Sequence, residues 1–90
     1  MDNIQDILAG MGNTPDEIAA FLGGQGIRGR LGHFRQCPVA CYLQRVGLDY
    51  GVMSKLAWPL SNHKPGIALP FAVENFIYRF DKGQYPELVI

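Results

Sequence analysis

Gly24-Gln25-Gly26-Ile27-Arg28-Gly29 spells GxGxxG, the glycine pattern with which a strand-turn-helix unit cradles a pyrophosphate. Asp49 follows at about the twenty-residue spacing such a fold uses for its ribose carboxylate. That chemistry needs a buried strand before the glycines and a helix straight after, so that the phosphates meet helix N–H groups. Here Thr14 to Leu22 reads as a helix instead, and the chain is too short for a six-stranded dinucleotide fold. The expected role is a glycine-rich connector.

Cys37-Pro38-Val39-Ala40-Cys41 invites a redox reading, but thioredoxin-like chemistry separates its cysteines by two residues and here three intervene. Cys37 is placed to cap a helix, where the dipole would favour a thiolate and Arg35 is near in sequence. Cys41, one turn further in, reads as a small core residue. His33, Cys37, Cys41 and His63 are zinc-ligand types, the first three at four-residue steps. Pro38 keeps the helix from reaching back to His33, so no shared face is expected and no metal is predicted. Ser54 and Ser61 lie in no nucleophile-elbow motif, and the eight acids offer no obvious catalytic pair. These readings predict a protein that is not an enzyme and needs no cofactor.

The elements that must position these residues follow from periodicity and capping. Ile4, Ile7, Leu8 and Met11 fall at i, i+3, i+4 and i+7, which predicts a helix over 3–10. Thr14-Pro15-Asp16-Glu17 predicts a capped helix from 15 to about 22, buried through Ile18, Phe21 and Leu22 and ended by Gly23-Gly24. Ile27 and Leu31 should anchor the glycine-rich loop that follows. Pro38 then opens a third helix, with Val39, Tyr42, Leu43 and Val46 inward. Tyr50 to Trp58 and Ile67 to Leu69 read as two strands, with Ser61 to Gly66 the turn between them and Pro59 at an edge or strand end. Pro70 starts a fourth helix that carries the clearest stripe of all, Val73, Phe76, Ile77 and Phe80; Tyr85, Leu88, Val89 and Ile90 should dock back on the core. The expectation is a single small α+β domain over 1–90: three helices, a β-hairpin and a C-terminal helix.

The start Cys37-Pro38-Val39-Ala40 and the ending Leu69-Pro70 through Phe80-Asp81-Lys82-Gly83-Gln84-Tyr85-Pro86-Glu87-Leu88 resemble short uncharacterised actinobacterial and actinophage proteins over the last two thirds of the chain. The resemblance implies an origin and carries no activity with it.

With 48% hydrophobic and 18% charged residues the chain has a globular composition. No apolar run reaches the roughly 20 residues of a membrane span, the start bears Asp2 and Asp6 rather than the basic residues of a signal peptide, and two cysteines suit a reducing compartment. A cytoplasmic protein without a membrane partner is expected. Eight basic residues balance eight acids, but unevenly: Asp2, Asp6, Asp16 and Glu17 stand alone up to residue 17, and Arg28, Arg30, Arg35 and Arg45 stand alone from 18 to 48. The plain consequence is that the two stretches neutralise each other. The functional one is a surface of Arg28, Arg30, His33, Phe34, Arg35 and Arg45 that binds an acidic face of another protein. Nucleic acid is the second candidate, since Thr14 to Leu22 looks like the first helix of a helix-turn-helix unit. The glycines after it, each costing a helix about 1 kcal/mol relative to alanine, oppose a recognition helix there, and a nucleic-acid binder usually has a basic excess. Self-association is also compatible with the sequence.

Overall fold

Thr14 begins the second helix as its sequence requires. Its backbone is extended (φ −136°, ψ 158°), its hydroxyl accepts from the Glu17 N–H at 3.1 Å, and the Glu17 carboxylate reaches back to the Asn13 N–H at 2.8 Å. The cap satisfies an orphan donor of the helix start and Glu17 ties down the residue before the cap, with Pro15 where a missing N–H costs nothing. The computed structural model describes residues 4–53, 55–60 and 66–89. Its elements run α1 (Ile4–Ala9), α2 (Pro15–Gly24), α3 (Pro38–Arg45), β1 (Tyr50–Met53), β2 (Leu56–Pro59), β3 (Ile67–Ala68) and α4 (Phe71–Asp81), then a 3-10 turn (Pro86–Leu88). The fold is α+β.

Helix α2 runs through Gly23 and Gly24, past its expected stop. Two glycines weaken a helix without ending it, and the left-handed residue that closes this one is Gly26 at φ +71°. In α3 the cap is Cys37, and Val39, Ala40 and Leu43 turn inward; Val46, expected inside, lies beyond the last turn and is 44% exposed. Leu31 does not anchor the glycine-rich loop: it is 42% exposed, and of the two expected anchors only Ile27 is buried.

The sheet departs further from expectation. Tyr50 to Trp58 is not one strand, because the chain reverses between Met53 and Leu56. The strands lie in the order β1-β2-β3, all antiparallel, with Val52 opposite Ala57, Met53 opposite Leu56, and Leu56 opposite Ala68. The reversal puts Val52 and Leu56 on opposite faces: Val52 is buried and Leu56 is half exposed. Pro59 ends β2, where it interrupts no ladder. Of the turn expected at Ser61 to Gly66, residues 61–65 lie outside the described residues, while β3 follows Gly66 and pairs with β2 as the second half of the predicted hairpin should.

Helix α4 supplies the centre. Val73, Phe76, Ile77 and Phe80 are all buried, α2 and α4 pack together, and α2 contributes the buried Ile18, Ala19 and Leu22 to the core. The Phe76 ring stacks on Phe80 (6.1 Å between centroids) and on Tyr85 (5.3 Å), which draws the tail back over the helix. Tyr85 is fastened at its other end, where its hydroxyl donates to Asp16 Oδ1 at 2.8 Å. Phe76→Ala is therefore expected to cost about 3–5 kcal/mol, a large part of the stability of a domain this small. Thermal or urea unfolding measures it, and a variant that unfolds like the parent would contradict the central place of this ring.

Candidate functional site

The loop from Arg28 to Gln36 has no regular structure of its own, so its shape comes from what its backbone is tied to. The Gly29 N–H donates to the Leu88 carbonyl at 2.8 Å, and Gly29 pairs with Val89 in a parallel bridge. The Arg30 N–H donates to the Gln36 carbonyl at 2.7 Å, closing the loop on itself. The Gly32 N–H donates to Asp81 Oδ1 at 3.0 Å, the Val52 N–H to the Phe34 carbonyl at 2.8 Å, and Gln44 Nε2 to the Arg35 carbonyl at 3.0 Å. The tail, α4, β1 and α3 thus each hold it. A Cβ on Gly29 would lie 2.5 Å from the Gln36 oxygen and from the Pro38 nitrogen, so the last glycine of the GxGxxG string lets the loop pass directly against the start of α3. A helix precedes that string and a loop follows it, which is not the setting of a phosphate cradle.

Arg28, Arg30, His33 and Arg35 are exposed on this loop. The other two residues of the predicted surface have work within the fold. Arg45 is exposed, and its Nη1 donates to the Gln25 carbonyl, fastening α3 to the end of α2. Phe34, 40% exposed, stacks on Trp58 at 5.5 Å with the rings 25° from parallel. Gly51 makes room for that stack, since a Cβ there would stand 2.9 Å from the Phe34 ring and 3.0 Å from Trp58.

Sequence reasoning missed a depression of about 120 Å³ beside the loop. Gly32, His33, Phe34, Met53 and Asp81 surround its mouth, and the buried Cys37, Val52 and Ile77 form its floor. The loop, the cap of α3, β1 and α4 meet there, so residues far apart in the chain combine and no local motif marks the place.

Cys37 caps α3 as its position implies: its sulfur accepts from the Ala40 N–H at 3.4 Å and its thiol lies 3.9 Å from the Val52 carbonyl. Burial nevertheless pushes the thiol from its ordinary 9.0 up to about 12, outweighing the lowering by the Ala40 and Val39 N–H groups. Desolvation of the charged form defeats the helix dipole, and Cys37 is a thiol, not a nucleophilic thiolate, near neutral pH. Burial raises Cys41 as well, and its Sγ donates to the Gln36 carbonyl at 3.5 Å. Both cysteines are free. His63 lies outside the described residues; among those described, no three or more His, Cys, Asp or Glu side chains are placed to hold a metal ion.

The fold and this loop define the class that can be assigned, a small α+β domain presenting a tethered cationic loop beside an apolar depression. Comparison with protein-family models, with curated proteins and with solved structures returns no match.

Two expectations follow from this geometry. A Cys37 thiol that keeps its proton in the fold but loses it in the unfolded chain adds stability below pH 9 that is lost as pH rises from about 9 towards about 12. The difference in unfolding free energy between the parent and Cys37→Ala should shrink over that range, measured by urea titration at successive pH values; an unchanged difference would contradict the burial of the thiol. Separately, Gly51→Ala should push the Phe34 ring off Trp58. Trp58 is the only tryptophan, so its emission should shift to the red in the folded variant, and an unaltered spectrum would rule out the stack.

Proposed function

We propose that the protein is a non-enzymatic interaction module that binds an acidic surface of another protein through the segment Arg28 to Arg35. One observation carries the reading: a glycine-rich loop is fixed by hydrogen bonds to the tail, α4, β1 and α3, while Arg28, Arg30, His33 and Arg35 are exposed. The entropy of ordering such a loop is already spent in folding, so a partner does not have to supply it. Guanidinium groups offer forked donors matched to carboxylates, and a cationic loop steers an acidic partner into register.

The Cys37 thiol, protonated and hydrogen-bonded to backbone groups, supports a non-enzymatic reading. Two free cysteines suit a cytoplasmic setting, and no described helix is long and apolar enough to cross a membrane. DNA binding through the same arginines is the competing reading. It is weaker because net charge is zero and because no helix lies between the end of α2 and the start of α3, where a recognition helix would follow after a turn of three or four residues.

Replacing Arg28, Arg30 and Arg35 together by alanine tests the proposal. The folded stability should change little, since all three are exposed. Protein captured from the native host on the immobilised parent should be lost from the triple variant, and its retention on the parent should weaken with salt. Tight, steeply salt-dependent retention on heparin and capture of nucleic acid would favour DNA. Full protein capture by the triple variant would remove this segment from the interface.

A further inference from the structure

We propose that the depression between the 32–34 stretch, β1 and α4 is an anchor pocket for one large apolar side chain of an acidic protein partner; this rests on the function proposed above and states how that partner is gripped. The floor is apolar, made by buried Val52, Ile77 and the protonated Cys37. Phe34 and Met53, 40% and 54% exposed, stand at the mouth. Its volume of about 120 Å³ can be set against the roughly 150 Å³ of an apolar cavity that holds benzene, so one isobutyl, thioether or phenyl group fills it. Water in such a hollow meets hydrocarbon on most sides, and an apolar group that replaces it gains free energy.

Charge says what must flank that group. From Ile18 to Leu48 the chain carries four arginines and no acid, and Arg30, His33 and Arg35 belong to the loop that forms part of the mouth. The matching segment is therefore acidic around its anchor. Asp81 also stands at the mouth, with Oδ1 held by the Gly32 N–H, and on that side the partner must offer a backbone N–H instead of a carboxylate. An apolar anchor in a pocket, ringed by polar contacts that exclude water, is how a few residues dominate an interface.

Two synthetic peptides test this, each a run of Glu and Asp around one central position that is Leu in the first and Ala in the second. They are titrated into the full chain, isotopically labelled, and followed by NMR. The Leu peptide should bind at least about tenfold more tightly and shift the methyl signals of Val52, Met53 and Ile77. Met53→Ala, at an exposed position, should weaken the Leu peptide at least several-fold and leave the Ala peptide unchanged. Equal affinity for the two peptides overturns the anchor pocket while leaving the acidic-partner function standing. Binding of neither overturns both. A preference for Leu with the pocket methyls unmoved also overturns the pocket, because the anchor then sits elsewhere.

Discussion

The stacking of Tyr85 on Phe76 couples the core to the surface. Phe76 lies in the buried stripe of α4, and Tyr85 is held by that ring on one side and by the Asp16 carboxylate on the other. Between them they fix the course of the tail, so that Leu88 enters the core and its carbonyl meets the Gly29 N–H. The glycine-rich loop thus takes one of its fastenings from a segment whose own place depends on an aromatic contact in α4. The same helix supplies the Asp81 oxygen that holds Gly32 and the Ile77 side chain beneath the depression. Loss of the α4 stripe would therefore loosen the loop at two points as well as open the core.

Two groups on this framework sit against the usual electrostatics of helix ends. Cys37 occupies the N-terminal cap of α3, where a thiolate is favoured, yet burial keeps it protonated. Asp81 is the last residue of α4, where the dipole opposes negative charge, and the Gly32 N–H compensates its carboxylate. In each case a contact from another element overrides what the helix alone would prefer. Both contacts border the same hollow, which leaves that place with an uncharged floor and a single acid at its mouth.

Legibility in the sequence followed the range of the interactions. Helix α4 could be read because its stripe repeats within one element, and α2 and α3 because their caps lie within a few residues of what they cap. The β1–β2 reversal could not, because Val52, Leu56 and Trp58 keep an apolar rhythm across it and no glycine or proline interrupts Met53 to Leu56. Leu31 could not be told from Ile27, because hydrophobicity alone does not say which apolar residue of a loop turns inward. The exposure of Arg28, Arg30, His33 and Arg35 was legible from their charge and polarity. The hollow beside them was invisible, since Met53, Ile77 and Asp81 approach the loop only after three elements have packed.

Phe34 explains why charge and apolar surface meet at one place. Gly51, Met53, Leu56 and Trp58 share the face of the sheet opposite the one that buries Val52 and Ala57. An antiparallel sheet with one free face ordinarily covers it with polar side chains, whereas Met53 and Leu56, directly opposite each other, are both more than half exposed. At the Trp58 end that face is closed by Phe34, whose neighbours in the chain are His33 and Arg35 and whose carbonyl takes the Val52 N–H. The ring draws the cationic loop onto the edge of the apolar face, and the absence of a side chain at Gly51 lets it come that close. A larger residue at 51 would part the loop from the sheet and separate the two kinds of surface. The spacing between charge and hydrocarbon on this molecule is therefore set by the Val52–Phe34 backbone hydrogen bond and by the Phe34 ring seated over Gly51.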